Sequence, residues 1–258
     1  MTMNDFSNCL SGKKILVTGA TSGIGYAIVT RLLHCGALVT ATGRNTGTLS
    51  SLTAGEDAVD FKDRVVVKPL DYSNQDSLEK FDTEIDKIDG LVNCVGISQM
   101  LPAKLTDYKT LLQSMHINFL APAFLINKLL RKKKINNGGS IVLISSISGT
   151  NISNIGMSNY AASKAALNGY LKSIALEIAP RIRINSVAPG MIDTGGGMFM
   201  ETMEKMSSED VEKDLNMYPM GRFGKPGDIS GLVAYLLSSE AAWITGQNFV
   251  VDGGRTLK

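Results

Sequence analysis

The sequence predicts an α/β fold, a doubly wound parallel sheet of about seven strands with helices on both faces. Three observations carry that prediction. Short runs rich in Val and Ile alternate with longer stretches of helical period along the 258 residues. The runs are nearly continuous in apolar character, as strands buried on both faces are. The first of them leads directly into Thr18-Gly19-Ala20-Thr21-Ser22-Gly23-Ile24-Gly25 and an amphipathic segment, so a strand, a glycine turn and a helix follow one another. Alternation of this kind implies right-handed crossovers and therefore a parallel sheet.

Strands are expected at 14–18, 38–42, 64–68, 90–95, 140–145, 183–187 and 248–251. The helix after the first strand is set by Ile24, Ile28 and Leu32 on one face, and Gly36 follows where a left-handed cap belongs. Residues 195–214 are the least regular stretch. They open with three glycines and carry Met198, Met200, Met203 and Met206, which suggests a substrate loop or lid. Local packing of the methionines is the plainer reading. No repeat or low-complexity linker is visible.

With 44% apolar and 19% charged residues the chain can bury one large core, so residues 1–258 are read as a single domain. A net charge of +2 supplies no broad field for nucleic acid or an anionic membrane. Cys9, Cys35 and Cys94 are too few and too scattered for a disulfide framework, which favours a reducing compartment. The first ten residues lack the basic and apolar pattern of a signal peptide, and no apolar run is long enough to span a bilayer. A soluble, cytoplasmic protein is expected.

Gly19, Gly23 and Gly25 fall between a strand end and a helix start, where backbone amides and the positive helix end can hold a pyrophosphate. Thr21, Ser22 and Ile24 lie in the same turn. A bare glycine triplet is as often a tight turn without a ligand, but the strand-turn-helix setting tips the balance to a nucleotide. The second strand ends Ala41-Thr42-Gly43-Arg44, with no acid before Glu56. An NAD site ordinarily has an acid there for the ribose hydroxyls, whereas Arg suits a 2′-phosphate, so NADP(H) is favoured over NAD(H).

Tyr160 and Lys164 stand one helical turn apart in Ser158-Asn159-Tyr160-Ala161-Ala162-Ser163-Lys164. About half a Tyr-x-x-x-Lys match is expected by chance in this composition, so the pair gains meaning only from its company. On one helix face, the Lys164 ammonium can approach both the Tyr160 phenol and a bound ribose. It is expected to pull the phenol pKa down towards neutrality, where proton exchange with a carbonyl becomes useful. Ser146, at a strand end, can donate a hydrogen bond to the same oxygen. His34 and His116 are far apart, and no metal site is expected. The run Arg131-Lys132-Lys133-Lys134 suits a helix carboxyl end, with docking of an acidic carrier protein as the functional alternative.

Taken together these pieces resemble the short-chain dehydrogenase/reductases, in the branch that includes the 3-oxoacyl-acyl-carrier-protein reductases. The resemblance spans nearly the whole chain and rests on residues 18–25, Leu70-Asp71, Asn93-Cys94-Val95-Gly96, Asn118, Ser146, Tyr160 with Lys164, Pro189-Gly190 with Thr194, and the tail Ile244-Thr245-Gly246 to Val251-Asp252-Gly253-Gly254. It implies a Rossmann-type sheet of order 3-2-1-4-5-6-7. It implies Tyr160 as general acid/base, Ser146 as the group that polarises the carbonyl, and Lys164 on the ribose. Asn118 would hold a water for proton relay, Asp71 would contact adenine, Asn93 the cofactor channel, and Ile192 with Thr194 the carboxamide. The stretch from Ser146 to Tyr160 is one residue longer than the family spacing, so Ser145 and Ser148 are rivals to Ser146. Cys94-Val95 replaces the usual Asn-Ala. Two positions where carrier-protein reductases are expected to hold arginine read Asn137 and Arg181, so that substrate is half supported.

The resulting expectation is an NADPH-dependent reduction of a ketone, with a 3-oxoacyl thioester, keto sugar, steroid or other small ketone as substrate. A binding protein that senses NADP is the non-enzymatic alternative. The resemblance further implies a homotetramer, or a homodimer, with Ala161, Ala165, Ala166 and Gly169 allowing close helix contact between subunits.

Overall fold

The computed structural model describes residues 8–50 and 61–258; Glu56 lies outside them. Seven strands form one sheet in the order β3-β2-β1-β4-β5-β6-β7, as the sequence led one to expect. They are β1 (Lys14–Thr18), β2 (Leu38–Gly43), β3 (Val65–Pro69), β4 (Ile88–Asn93), β5 (Ile135–Ile144), β6 (Ile182–Pro189) and β7 (Asn248–Val251). Every neighbouring pair is parallel. The helices among the described residues are α1 (Gly23–His34), α2 (Gln75–Lys80), α3 (Tyr108–Met115), α4 (Ala121–Arg131), α5 (Ser158–Ile178), α6 (Gly197–Met203), α7 (Ser208–Asn216) and α8 (Pro226–Leu237). None of them is long and apolar enough to cross a membrane.

The period of two in β1 separates the core into two layers. Ile15 and Val17 join Ile28 and Leu32 of α1 and Val233 and Leu236 of α8 on one face. Leu16 joins Leu125 and Leu129 of α4 and Leu167 and Leu171 of α5 on the other. Both sides of the strand are therefore dry, which is why its sequence reads as an unbroken apolar run. Helix α1 ends as expected: Gly36 takes φ +83°, and the Gly36 and Ala37 amides donate to the Leu33 and Leu32 carbonyls at 3.0 Å each.

Three expectations need correction. β4 stops at Asn93 rather than Val95, although the Cys94 amide still donates to the Thr18 carbonyl at 3.1 Å. β5 begins at Ile135, five residues early, because Ile135 pairs with Ile88 and the register then slips before Gly90 meets Ser140. Gly138, at φ +81°, accommodates that irregularity. The segment 195–214 is not an irregular loop but the helices α6 and α7. Helix α7 is started by Ser207, whose hydroxyl accepts from the Asp210 amide at 3.1 Å, and is braced by a Lys213–Glu209 ion pair at 2.7 Å. The three glycines hide these signals in the sequence.

Candidate active site

A cleft of about 560 Å³ opens across the carboxyl ends of the strands. It spans the point between β1 and β4 where the strand order reverses, which is where open parallel sheets bind ligands. Every site residue expected from the sequence lines this cleft except Asn93 and Asn118, and those two are buried beneath it.

The glycines of the first turn prove to be required by the protein itself. A Cβ on Gly19, at φ +69°, would come within 2.8 Å of the Cys94–Val95 backbone, and one on Gly25 would strike the Gly19 carbonyl oxygen. Gly23, at φ +53°, faces Thr194, whose Cγ2 a Cβ would meet at 2.9 Å. Absent side chains thus let the turn close on β4 and on residue 194, rather than simply leaving room for phosphate. The room lies at the start of α1. Its N-cap Ser22 makes no side-chain cap and its first turn holds no acid, so the amides of Gly23, Ile24 and Gly25 are available to an anion.

The adjoining strand ends complete a cradle that fits a dinucleotide. Arg44 is exposed just past β2, and the Leu70 amide, donating to the Gly43 carbonyl at 3.1 Å, brings Asp71 alongside. One Asp71 carboxylate oxygen accepts from the Ser73 amide at 2.9 Å and hydroxyl at 2.7 Å, which fixes that turn. Below it, Asn93 Oδ1 accepts from Tyr72 Oη at 2.9 Å and Thr18 Oγ1 at 3.1 Å. Asn93 Nδ2 is buried without a partner, a cost that a ligand carbonyl or hydroxyl could offset.

Tyr160 and Lys164 lie on the face of α5 turned to the cleft. The Tyr160 hydroxyl lies close enough to Ser146 for the serine to lower its pKa. Ser146 Oγ also accepts from the Ser148 amide at 3.2 Å, whereas the Ser145 hydroxyl is buried and has no partner. Of the three rival serines, Ser146 is the one in contact with the tyrosine. Residues 150–157 loop along the rim, where the Leu101 amide donates to the Gly156 carbonyl at 2.9 Å. Lys164 Nζ donates to the Ile144 carbonyl at 2.8 Å and sits 5.7 Å from the centre of the Tyr160 ring.

That arrangement overturns the expected direction of the tyrosine shift. Burial raises the Tyr160 pKa, against a smaller lowering by Ser146. The ammonium of Lys164 is committed to a carbonyl and faces the ring rather than its oxygen, and burial pulls Lys164 itself down to about 8. Nearby Cys94 is pushed up to about 12 by burial, with Lys164 opposing.

The side chain of Asn118 is held in place by several hydrogen bonds. The residue falls in a π-helical turn, His116–Leu120, between α3 and α4. Its Oδ1 accepts from the Ile97 amide at 2.8 Å, and its Nδ2 donates to the Ile97 carbonyl and to Ser163 Oγ, both at 2.9 Å. Ser163 in turn donates to the Tyr160 carbonyl at 2.7 Å. The side-chain amide thus braces the tyrosine-bearing turn. Ser163 was legible only as a serine three residues beyond Tyr160, placed to bond back along the helix. Tyr72, Tyr218, Asp214 and Arg255 carry no motif that would single them out.

The basic run and the two carrier-protein positions lie elsewhere. Helix α4 ends at Arg131, and Gly138 donates to the Arg181 carbonyl at 2.7 Å, so Asn137 and Arg181 are neighbours at the amino end of the sheet. Strand β5 separates them from the cleft of the same subunit by roughly 20–25 Å at about 3.3 Å per residue.

A family model described as enoyl-(acyl carrier protein) reductase matches residues 19–256. The chain is 36% identical over 246 residues to a protein named 3-oxoacyl-(acyl-carrier-protein) reductase FabG from Rickettsia bellii, covering 95% of this chain and 97% of that one. Among solved structures, 4-hydroxyisoleucine dehydrogenase complexed with NADH is 30% identical with a TM-score of 0.84, covering 96% of this chain and 100% of that one. The angucycline C-6 ketoreductase LanV with bound NADP is 27% identical with a TM-score of 0.84, covering 97% and 98%.

Proposed function

The chain belongs to the short-chain dehydrogenase/reductase family, and on that premise we propose that this oxidoreductase uses NADPH to reduce a ketone to a secondary alcohol. The observation that carries the reading is the neighbouring pair of hydroxyls, Tyr160 and Ser146, with Lys164 one turn further along α5. Two O–H groups converging on one point suit a carbonyl oxygen, whose two lone pairs accept both. An enoyl thioester also offers a carbonyl oxygen to these hydroxyls, so the choice of a ketone rests on the 3-oxoacyl reductase and ketoreductase relatives.

When bound, the cofactor supplies the hydride. Its phosphates would lie on the α1 amides, its 2′-phosphate near Arg44, its adenine beside Asp71, and its nicotinamide end among Gly96, Pro189, Gly190, Ile192 and Thr194. Ser146 holds and polarises the ketone oxygen, and Tyr160 gives that oxygen its proton as negative charge develops there. Lys164 orients the ribose and holds positive charge near the phenol. Asn118, through Ser163, keeps the Tyr160 turn in register. Arg44 and the lack of a described acid after β2 support NADP(H) over NAD(H), and the carrier-protein reductase relatives support a 3-oxoacyl thioester. We further propose a homotetramer, on the strength of the two exposed apolar faces described below.

Oxidation of NADPH and NADH, each measured against a 3-oxoacyl thioester, an enoyl thioester, a keto sugar, a steroid ketone and a diketone, tests the reading. Turnover of at least one ketone with NADPH preferred is expected. Tyr160→Phe should bind NADPH within about threefold of the wild type yet turn over roughly 10³-fold more slowly, as loss of a general acid does. Unchanged turnover in that variant would overturn the mechanism. Tight NADPH binding with no ketone consumed would identify a sensor instead.

A further inference from the structure

We infer that the Asp214–Arg255 ion pair in the cleft wall makes this enzyme select neutral ketones against anionic keto acids. The inference rests on the reading of the protein as a ketone reductase and concerns the substrate half of the same cleft.

The charged residues lining the cleft are Arg44, Asp71, Lys164, Asp214 and Arg255. Arg44 and Asp71 stand at the ends of β2 and β3, on the far side of β1 from the tyrosine. Lys164 Nζ is held by the Ile144 carbonyl and lies beside Gly96, whose Cβ would be 3.3 Å from it. Asp214 and Arg255 therefore remain as the charges of the substrate side. They come from different elements, Asp214 from α7 and Arg255 from the turn Arg255–Leu257 that follows β7. Arg255 Nη2 lies 3.4 Å from Asp214 Oδ1, with side chains only 14% and 17% exposed.

A line of contacts ties this pair to the reaction centre. The Arg255 guanidinium rests 5.9 Å from the centre of the Tyr218 ring. Tyr218 Oη accepts from the Met191 amide at 3.1 Å, and its ring edge stands 3.3 Å from where a Gly190 Cβ would be. Gly190 follows the end of β6, in the cradle assigned above to the nicotinamide end.

The consequence is electrostatic. A keto acid entering such a wall needs a cation for its carboxylate, and a planar guanidinium is well suited to that. Here the guanidinium is already matched, and Asp214 repels a second carboxylate. A neutral ester, thioester or ketone meets no such penalty, so the pair acts by exclusion rather than attraction.

Methyl acetoacetate and acetoacetate share a carbon skeleton and differ in charge, which makes them the probe. With NADPH, the wild type should show kcat/KM for the ester at least tenfold above that for the acid. Asp214→Asn, which frees the guanidinium, should narrow that ratio at least fivefold through a gain on the acid, and Asp214→Asn/Arg255→Gln should lose the gain. The ratio is taken within each preparation, so partial misfolding cancels. If other ketones are reduced but neither probe is, the same comparison is read as competitive inhibition of the ketone that is turned over. An acid handled as well as the ester by the wild type, or a ratio unmoved by Asp214→Asn, overturns the inference while leaving ketone reduction standing. Absence of turnover with every ketone defeats the functional reading itself.

Discussion

Lys164 is buried, donates to a backbone carbonyl and still faces a tyrosine ring, so its charge is maintained at a cost. Its pKa falls from 10.5 to about 8 because burial penalises the ammonium. Between those two values the unfolded chain holds a proton that the folded chain has released, and stability contributed by this group therefore rises with pH across that window. At pH 7, Lys164→Met should be the more stable protein by on the order of 3 kcal/mol, and the advantage should shrink as pH approaches 10. Urea unfolding of both proteins at pH 7, 8.5 and 10 measures the gap, and taking the difference cancels the other titrating groups. A gap that stays constant would mean that Lys164 is not strained by burial. At this scale the side chains expected from the sequence do lie together in the cleft, but the sign of the tyrosine shift was not legible. Spacing on a helix says that two residues share a face. It does not say whether an ammonium points at a hydroxyl, a ring or a carbonyl.

Elements were legible where periodicity was unopposed. β1 and β7 fall on their expected bounds, and α1 runs from its glycine turn to Gly36 as patterned. They were obscured where a local signal conflicted with context. Asn136-Asn137-Gly138-Gly139 has the composition of a turn yet starts β5, because Ile135 pairs with Ile88 and tertiary pairing overrides turn propensity. The π-helical turn at His116–Leu120 has no sequence signature at all, although it carries Asn118. The glycine turn admits a direct test. Gly25→Ala would drive a methyl group into the Gly19 carbonyl oxygen. A loss of at least about 2 kcal/mol is expected for strain of that kind, or about 4–8 °C in Tm for a chain of this size, together with weaker NADPH binding. Calorimetry with and without NADPH reads both effects, and a variant with unchanged Tm and affinity would show that the turn relaxes freely.

For the whole molecule, most of the exposed large apolar side chains fall in two regions, with Val66, Ile155, Met200 and Met220 exposed elsewhere. Leu105, Tyr108, Leu111, Leu112, Leu120, Phe124 and Leu176 are exposed on or beside α3, α4 and α5, close to the exposed Ala165 and Gly169 of α5. Trp243, Val250 and Leu257 are exposed at the β7 edge of the sheet. Two distinct self-complementary faces are what a tetramer with three perpendicular two-fold axes requires, whereas a dimer would cover one of them. Light scattering should accordingly return four times the chain mass of 27.6 kDa. Half that value would leave one face without a role, and a monomer would refute both. The sequence anticipated small residues on α5 but not the β7 face, since a short edge strand reads the same whether solvent or another subunit lies beside it.

The carboxyl-terminal turn bears on how the protein is handled at the bench. Lys258 Nζ donates to the Asn216 carbonyl at 3.1 Å, three residues after Arg255 meets Asp214 on the same helix. A purification handle fused to this end would pull directly on α7 and alter the wall of the cleft. Assays of substrate preference are therefore best made on protein tagged at the amino end, or with any carboxyl-terminal extension cleaved away.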